Sequence, residues 1–481
     1  MAWRRERSWP DGHVHLLLQA VLAPEAQAKA AWQAWQARRN FDDIVWTEMR
    51  LLASLSVRLP QLDPETPLRP RIDGLTKQLW TKTQLSLRET ASAFDRLAAD
   101  GIPFLVFKGG AQYAEGLAAA TRRIMGDVDI LVRPEDTVRA LDSLAADGWT
   151  ATNGESFEYL RELANVRLSG NFKKGERGEI DLHNSPFHFA RIQPLLDEAM
   201  WRSAQNAKLA LRPILVPAPT DATLLLLAHS ATSESGDWAI DLAARIDRQA
   251  IDWALLASMA YQRGLVPACL AGLRYARQEL SLPVPDAALA AMASRPAAFG
   301  ERLKYWSNVR DRSDRNLLEK AGNRLADRLL RHQGFSLIVK DRRAITVTRP
   351  RIPFRWLLGL AKPVEGLPDG RSLLHTLTLR QPRRSLILKL TLEAPAMSRR
   401  LFFDITCNGV AIARLRSRAG GRGAGREVSR TFHLPLPNGL VGDISVAINA
   451  RPVRFIPPDA TDREAAALGP TPFQLAGVWT A

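Results

Sequence analysis

The stretch from Phe104 to Val132, FLVFKGGAQYAEGLAAATRRIMGDVDILV, constrains the chain more than any other segment. Phe104 to Phe107 is a short apolar run, Gly109-Gly110 breaks it, Ala111 to Ala120 has helical composition, and Asp127 to Val132 alternates before ending in Leu-Val. The expected order is strand, glycine turn, helix, strand. Asp127 and Asp129 stand two apart on the second expected strand, so both carboxylates leave the same face. Like charges side by side cost stability unless a cation lies between them. A metal site is the first expectation.

The flanking sequence builds outward from this stretch. From His13 to about Asp100 the pattern is helical: Pro24 precedes an Ala/Gln-rich run to Arg39, a second helix is expected over Phe41 to Val57, and after the link Leu59 to Pro70 an amphipathic helix runs from Ile72 to Ala99. Asp100-Gly101 ends it. Downstream, Pro134-Glu135-Asp136 starts a helix that stops at Asp147-Gly148, and Trp149 to Lys174 reads as strands with polar turns. Glu179-Ile180-Asp181-Leu182-His183 is another alternating strand with Asp181 and His183 on one face, which makes a third carboxylate available. Residues 192–333 read as helices, with Asp221 as an N-cap and Asp237-Trp238 opening the next helix. From Ala344 short alternating runs separated by Pro, Gly and Asn read as an antiparallel β-sandwich, with Asn408-Gly409 as a hairpin turn and Arg418 to Arg430 as a Gly/Arg loop.

These signals divide the chain into a helical region over residues 1–100, an α/β core over 101–205, a helical domain over 206–335 and a basic β-rich domain over 340–481. At 481 residues it is too long for one ordinary core. With 46% hydrophobic and 24% charged residues it has a globular composition, and no apolar run reaches the length of a membrane span. Cys269 and Cys407 lack the spacing of a disulfide framework or a thiolate zinc site, so a reducing cytoplasm is the expected location. The net charge of +16 is uneven. Residues 301–481 carry 32 Lys and Arg against 15 Asp and Glu, a net of +17, which leaves the first 300 residues at −1. Contact with a polyanion or an acidic glycan is therefore expected in the C-terminal third, away from the carboxylates.

A glycine pair between strand and helix lets backbone N–H groups approach phosphate oxygens, and paired carboxylates suit Mg2+, which takes few carboxylates and keeps water and substrate phosphate. A third carboxylate permits two ions and in-line displacement at phosphorus. In this order and on these elements the parts resemble the polymerase-β-like nucleotidyltransferase superfamily. More narrowly, Lys108-Gly109-Gly110, Arg122 and Arg123, Asp127-Val128-Asp129 and Ile180-Asp181-Leu182-His183 are similar to an uncharacterised bacterial branch of it, and LLLLAHS, DWAIDLAARIDR and IDW carry the likeness through Trp253. Sixteen residues separate Gly110 from Asp127, a longer interval than the superfamily's usual one.

The resemblance implies an α+β fold with a polymerase-β-like core, and nucleotidyl transfer from an NTP such as ATP to an acceptor hydroxyl, with release of pyrophosphate. It implies that Asp127 and Asp129 hold two Mg2+ ions, with Mn2+ as a substitute, and that Asp181 completes the metal site nearer the acceptor and helps deprotonate it. Gly109 and Gly110 would hold the triphosphate through backbone amides, while Lys108 and Arg123 neutralise phosphate charge. His183 and His229 read as hydrogen-bonded structural histidines, Trp238 and Trp253 as helix packing. The acceptor stays open among sugar, metabolite, RNA and protein hydroxyl. Pro452 to Ala481, with Phe402 to Arg414, is similar to β-sandwich modules of bacterial glycan-biosynthesis proteins, which points to envelope polysaccharide. The alternatives are a catalytically silent nucleotide-binding scaffold of a glycan-biosynthesis machine, and a transferase acting on RNA held by the basic tail.

Overall fold

The computed structural model describes residues 8–10, 12–152, 154–157, 160–161, 164, 168–187, 189–230, 236–309, 316–331, 347–348, 361–380, 385–393, 399–419, 427–436, 442–451 and 472–480. Residues 420–426 of the expected Gly/Arg loop and 452–471 of the C-terminal stretch lie outside them. The fold is mixed α+β, in two compact units. One takes in Met1–Trp149 and Leu168–Val339, the other Thr150–Arg167 and Lys340–Ala481.

The first unit is built on a mixed sheet whose six strands within the unit are β1 (Phe104–Phe107), β2 (Val128–Val132), β3 (Ser169–Lys174), β4 (Gly178–His183), β5 (Gln205–Leu209) and β6 (Arg212–Val216). They run in the order β3-β4-β2-β1-β6-β5. β2 lies antiparallel to β1 and parallel to β4, and every residue of β1 and β2 is buried. A strand covered on both faces needs apolar residues throughout, which is why FLVF and VDILV read as near-continuous apolar runs with one exception, Asp129.

Helices close the sheet. The helix Arg69–Ala99 spans 31 residues and buries Leu79, Leu87, Phe94 and Leu97 along one stripe, as its amphipathic spacing requires. Ala53 and Leu79 pack with Ile124, so this helix and Trp46–Leu55 hold the segment that leads into β2. A larger apolar cluster joins Leu105, Phe107 and Leu131 of the sheet to Leu224 and Leu227 of Pro219–Ser230, Trp238 and Leu242 of Asp237–Arg248, and the N-terminal Trp32 and Trp35.

Several boundaries differ from expectation; residues 205–216, read as part of a helical stretch, form the paired strands β5 and β6, and β6 joins the sheet beside β1. No glycine turn separates β1 from its helix: Lys108–Ala114 begins at once, with Gly109 and Gly110 in its first turn. Lys108 itself sits at φ +50°, a left-handed conformation uncommon for a lysine, and this single residue makes the change of direction. The expected helix over Ala111 to Ala120 is also split in two, with Leu117–Thr121 following Gly116 at φ +73°.

The second unit contains two five-stranded sheets, the longer strands being Leu374–Leu379, Ser385–Glu393, Arg399–Cys407, Val410–Ala419, Glu427–Pro435, Ile444–Arg451 and Phe473–Thr480. Leu386, Leu388 and Phe432 of one sheet share an apolar core with Phe403, Ile405 and Ile448 of the other. Asn408 and Gly409 both have positive φ, which is the two-residue turn that closes the hairpin Cys407↔Val410. Both cysteines are free and buried. Among the described residues no helix is long and apolar enough to cross a membrane.

Candidate active site

Strand pairing brings the distant acidic residues together. In the parallel register of β2 with β4, Asp129 is the partner of Asp181, and in the antiparallel register of β1 with β2 it is the partner of Phe107. The residue after Phe107 is Lys108, whose Nζ lies 2.5 Å from Asp129 Oδ1. His183, two residues beyond Asp181 on the same face of β4, inserts between the carboxylates: its Nε2 is 3.1 Å from Asp129 Oδ1 and 2.9 Å from Asp181 Oδ2. Asp129, Asp181 and His183 each offer a ligand atom, and these atoms lie within 4.8 Å of one another.

The site is buried and its charges are unbalanced. His183 is 1% exposed and stands edge-on to the Phe107 ring at 5.0 Å. Burial opposes its protonation, yet the bonds to Asp129 and Asp181 outweigh that and raise its pKa above the ordinary value. Burial likewise opposes the Asp129 charge, but the Lys108 ammonium and the His183 ring hold that carboxyl well below the usual range. Lys108 is raised in turn: burial works against it, and Asp129, with Asp181 and Asp127 behind, keeps it charged. Asp127 differs. It is half-buried at the bend just before β2, and burial together with the charges of Asp129 and Asp181 pushes its pKa up to about 6. Asp181 Oδ1 is buried with no hydrogen-bond partner among the described residues. An oxygen-rich donor set with an unsatisfied oxygen suits a hard divalent cation.

The glycines serve different ends. A Cβ on Gly110 would lie 2.5 Å from Val106 Cγ1 and 3.3 Å from Val128 Cγ1, so only glycine lets the helix sit down on β1 and β2. At Gly109 a Cβ would meet Met125 Cγ at 3.4 Å and Arg123 Nη2 at 3.9 Å, in ordinary contact. Residues 108–110 make the first turn of their helix, where backbone N–H groups have no intrahelical acceptor.

Arg123, expected beside phosphate, is buried with its Nε 3.0 Å from Asp241 Oδ1 and its Nη1 3.5 Å from Asp237 Oδ2. Asp237 also takes Arg50 Nη1 at 2.7 Å. Tyr113 Oη donates to the Arg123 carbonyl, and Thr83 Oγ1 to that of Met125 at 3.2 Å, so the segment before Asp127 is tied on several sides. The structure thus gathers Lys108, Asp129 and Asp181, sets Asp127 beside them outside the three-residue ligand group, and turns Arg123 to a helix. Sequence reasoning missed the placement of His183 against both carboxylates, although its alternation with Asp181 already placed the two on one face. It also missed Arg50 and the pair Asp237 and Asp241, whose i,i+4 spacing puts two acids on one helical face.

Residues 45–281 match the model of a family described as uncharacterised nucleotidyltransferase. The match includes the whole of the carboxylate, histidine and lysine group and the helix Asp237–Arg248. No curated protein matches the chain.

Proposed function

Because residues 45–281 of this chain belong to that nucleotidyltransferase family, we propose that the protein transfers a nucleoside monophosphate from an NTP, with ATP as the first to try, to an acceptor hydroxyl. The observation that carries the reading is the register pair Asp129 and Asp181 with His183 between them, in a site where acidic groups outnumber the bases that face them.

In the reaction the acceptor oxygen bonds to the α-phosphorus, the bond from that phosphorus to the bridging oxygen of the β-phosphate breaks, and pyrophosphate leaves with the electron pair. Asp181 takes the acceptor's proton. Asp127, Asp129 and Asp181 would hold Mg2+, two ions in the full site and Mn2+ as a substitute, and the metal when bound supplies positive charge at the phosphate oxygens. The unpartnered Asp181 Oδ1 fits that assignment. Lys108, already charged and 2.5 Å from Asp129, stands ready to meet phosphate, and the N–H groups of Gly109 and Gly110 point out of a first helical turn. Arg123, its guanidinium committed to Asp241 and Asp237, positions the segment that leads to Asp127.

In this reading residues 101–205 form a polymerase-β-like core between helical regions 1–100 and 206–335. Residues 340–481 form a β-sandwich that meets a polyanion or acidic glycan in envelope polysaccharide biosynthesis, in the cytoplasm. The test is mass spectrometry and pyrophosphate detection on the purified protein with Mg2+, each NTP in turn and cell extract. One nucleotidylated product is expected, and none from Asp127→Ala/Asp129→Ala; turnover surviving in that double variant rejects the proposal. A second reading, nucleotide binding without turnover, is favoured by one feature: Asp129 is already bonded by both Lys108 and His183. Its signature is nucleotide affinity with no product from any NTP.

A further inference from the structure

We propose that Trp46 is the platform on which the base of the nucleotide stacks, with Lys82 at its rim to take phosphate; this rests on the nucleotidyltransferase reading and deepens it. Trp46 opens the helix Trp46–Leu55 and is 40% exposed, whereas Trp32, Trp35 and Trp238 of the same unit are buried. Trp80, on the helix Arg69–Ala99, is more exposed still at 55%, and what sets Trp46 apart is the pair of cations on its ring. Two cations lie against it: Arg50 Cζ is 5.6 Å and Lys82 Nζ 5.0 Å from the ring centroid. The indole face attracts positive charge, and the same face stacks on any nucleobase. Lys82 is exposed on a long stem, so its ammonium can leave the ring for a phosphate while its methylenes stay.

A chain of contacts connects this platform to the carboxylates. Arg50 Nη1 is 2.7 Å from Asp237 Oδ2, and the same oxygen is 3.5 Å from Arg123 Nη1. Arg123 in turn faces Gly109, where a Cβ would lie 3.9 Å from its Nη2. Ile124, between Arg123 and Asp127, packs on Ala53 and Leu79, so the helices that carry Trp46 and Lys82 pack against the segment that leads to Asp127. Arg50 Nη1 is held by the buried Asp237, so Arg50 fixes the indole in place while the exposed Lys82 is the cation placed to reach an anion. Base, phosphates and carboxylates then follow one another along a single wall.

Stacking reads the π-face and not the base edges, so the platform accepts all four bases. The test is calorimetric titration of the full chain, in Mg2+, with the α,β-methylene analogues of ATP, GTP, CTP and UTP, which resist transfer, and separately with inorganic pyrophosphate, which has no base. Trp46→Ala is expected to weaken the analogues about tenfold and to leave pyrophosphate affinity unchanged, while Trp46→Phe keeps most of the analogue affinity. Unchanged analogue affinity in Trp46→Ala overturns the platform. So does an equal loss for analogue and pyrophosphate, which marks Trp46 as structural. Wild-type protein that binds none of the analogues overturns the nucleotidyltransferase reading itself.

Discussion

Two sets of buried charge share the first unit and follow different rules. In the helical set every carboxylate meets a guanidinium: Arg123 with Asp241 at 3.0 Å, Arg50 with Asp237 at 2.7 Å, Arg245 with Glu115 at 2.7 Å. In the strand set three carboxylates, Asp127, Asp129 and Asp181, face Lys108 and His183 among the described residues, and these partners are shared unequally. Asp129 Oδ1 is bonded by both bases while Asp181 Oδ1 is bonded by neither. Burial alone therefore does not separate structural charge from functional charge. Residual charge does: a neutral buried network holds elements together, and an acidic remainder marks a place where a cation belongs.

The sharpest contrast is expected from Asp129→Asn and Arg123→Ala. Asp129→Asn should lower pyrophosphate release by at least ~10^3-fold while costing about 1–3 kcal/mol in urea unfolding, since it takes the charge from the bonds of Lys108 and His183 but leaves an amide oxygen to accept them. Arg123→Ala should instead show in unfolding, by about 3–5 kcal/mol, because Asp241 loses the guanidinium that holds its buried charge, while Asp237 keeps Arg50. Pairing Arg123→Met with Asp241→Leu should restore most of that stability. If Arg123→Ala unfolds like wild type, the helical network is not a structural one.

Asp127 gives the pH dependence a sign. Its folded pKa of about 6 lies above the value of 3.8 it has when exposed, so its contribution to stability is fully present below about pH 3.8 and is lost as pH rises through 6. In EDTA, Asp127→Asn should therefore be more stable than wild type at pH 8, by ~2 kcal/mol, with the gap closing toward pH 4. A constant difference across that range would show that Asp127 is not the strained acid. The smallest effects concern the glycines. Gly110→Ala should cost about 1–3 kcal/mol, since its methyl meets Val106 Cγ1 at 2.5 Å, and Gly109→Ala, at 3.4 Å from Met125, should stay under ~1 kcal/mol by thermal unfolding.

Much of this arrangement is legible in the sequence, for local reasons. Alternation around Asp181 and His183 predicts their shared face, the apolar stripe of Ile72 to Ala99 predicts a long helix, and Asn408-Gly409 predicts its hairpin. What escapes a local reading is set by contacts far apart in the chain. Gly109-Gly110 looks like a turn because glycine is a poor helix former, but the sheet below leaves no room for a side chain at Gly110, and that packing overrides propensity. Asp127 falls outside β2 because the pairing with β1 ends where Phe107 meets Asp129, two residues further on, and the pairing with β4 begins only at Val128. His183 reads as a hydrogen-bonded histidine, and it is bonded to Asp129 and Asp181, yet its place against both carboxylates depends on the register of β2 with β4. Arg123 looks free for phosphate because its partner Asp241 lies 118 residues away.

Crystals grown with Mn2+ and an α,β-methylene NTP analogue, measured at the manganese absorption edge, address the acidic remainder itself. The account predicts an anomalous peak between Asp129 and Asp181, within coordination distance of an oxygen of each, with Lys108 Nζ moved off Asp129 toward phosphate. An analogue bound with no peak there, and Lys108 still on Asp129, would contradict it.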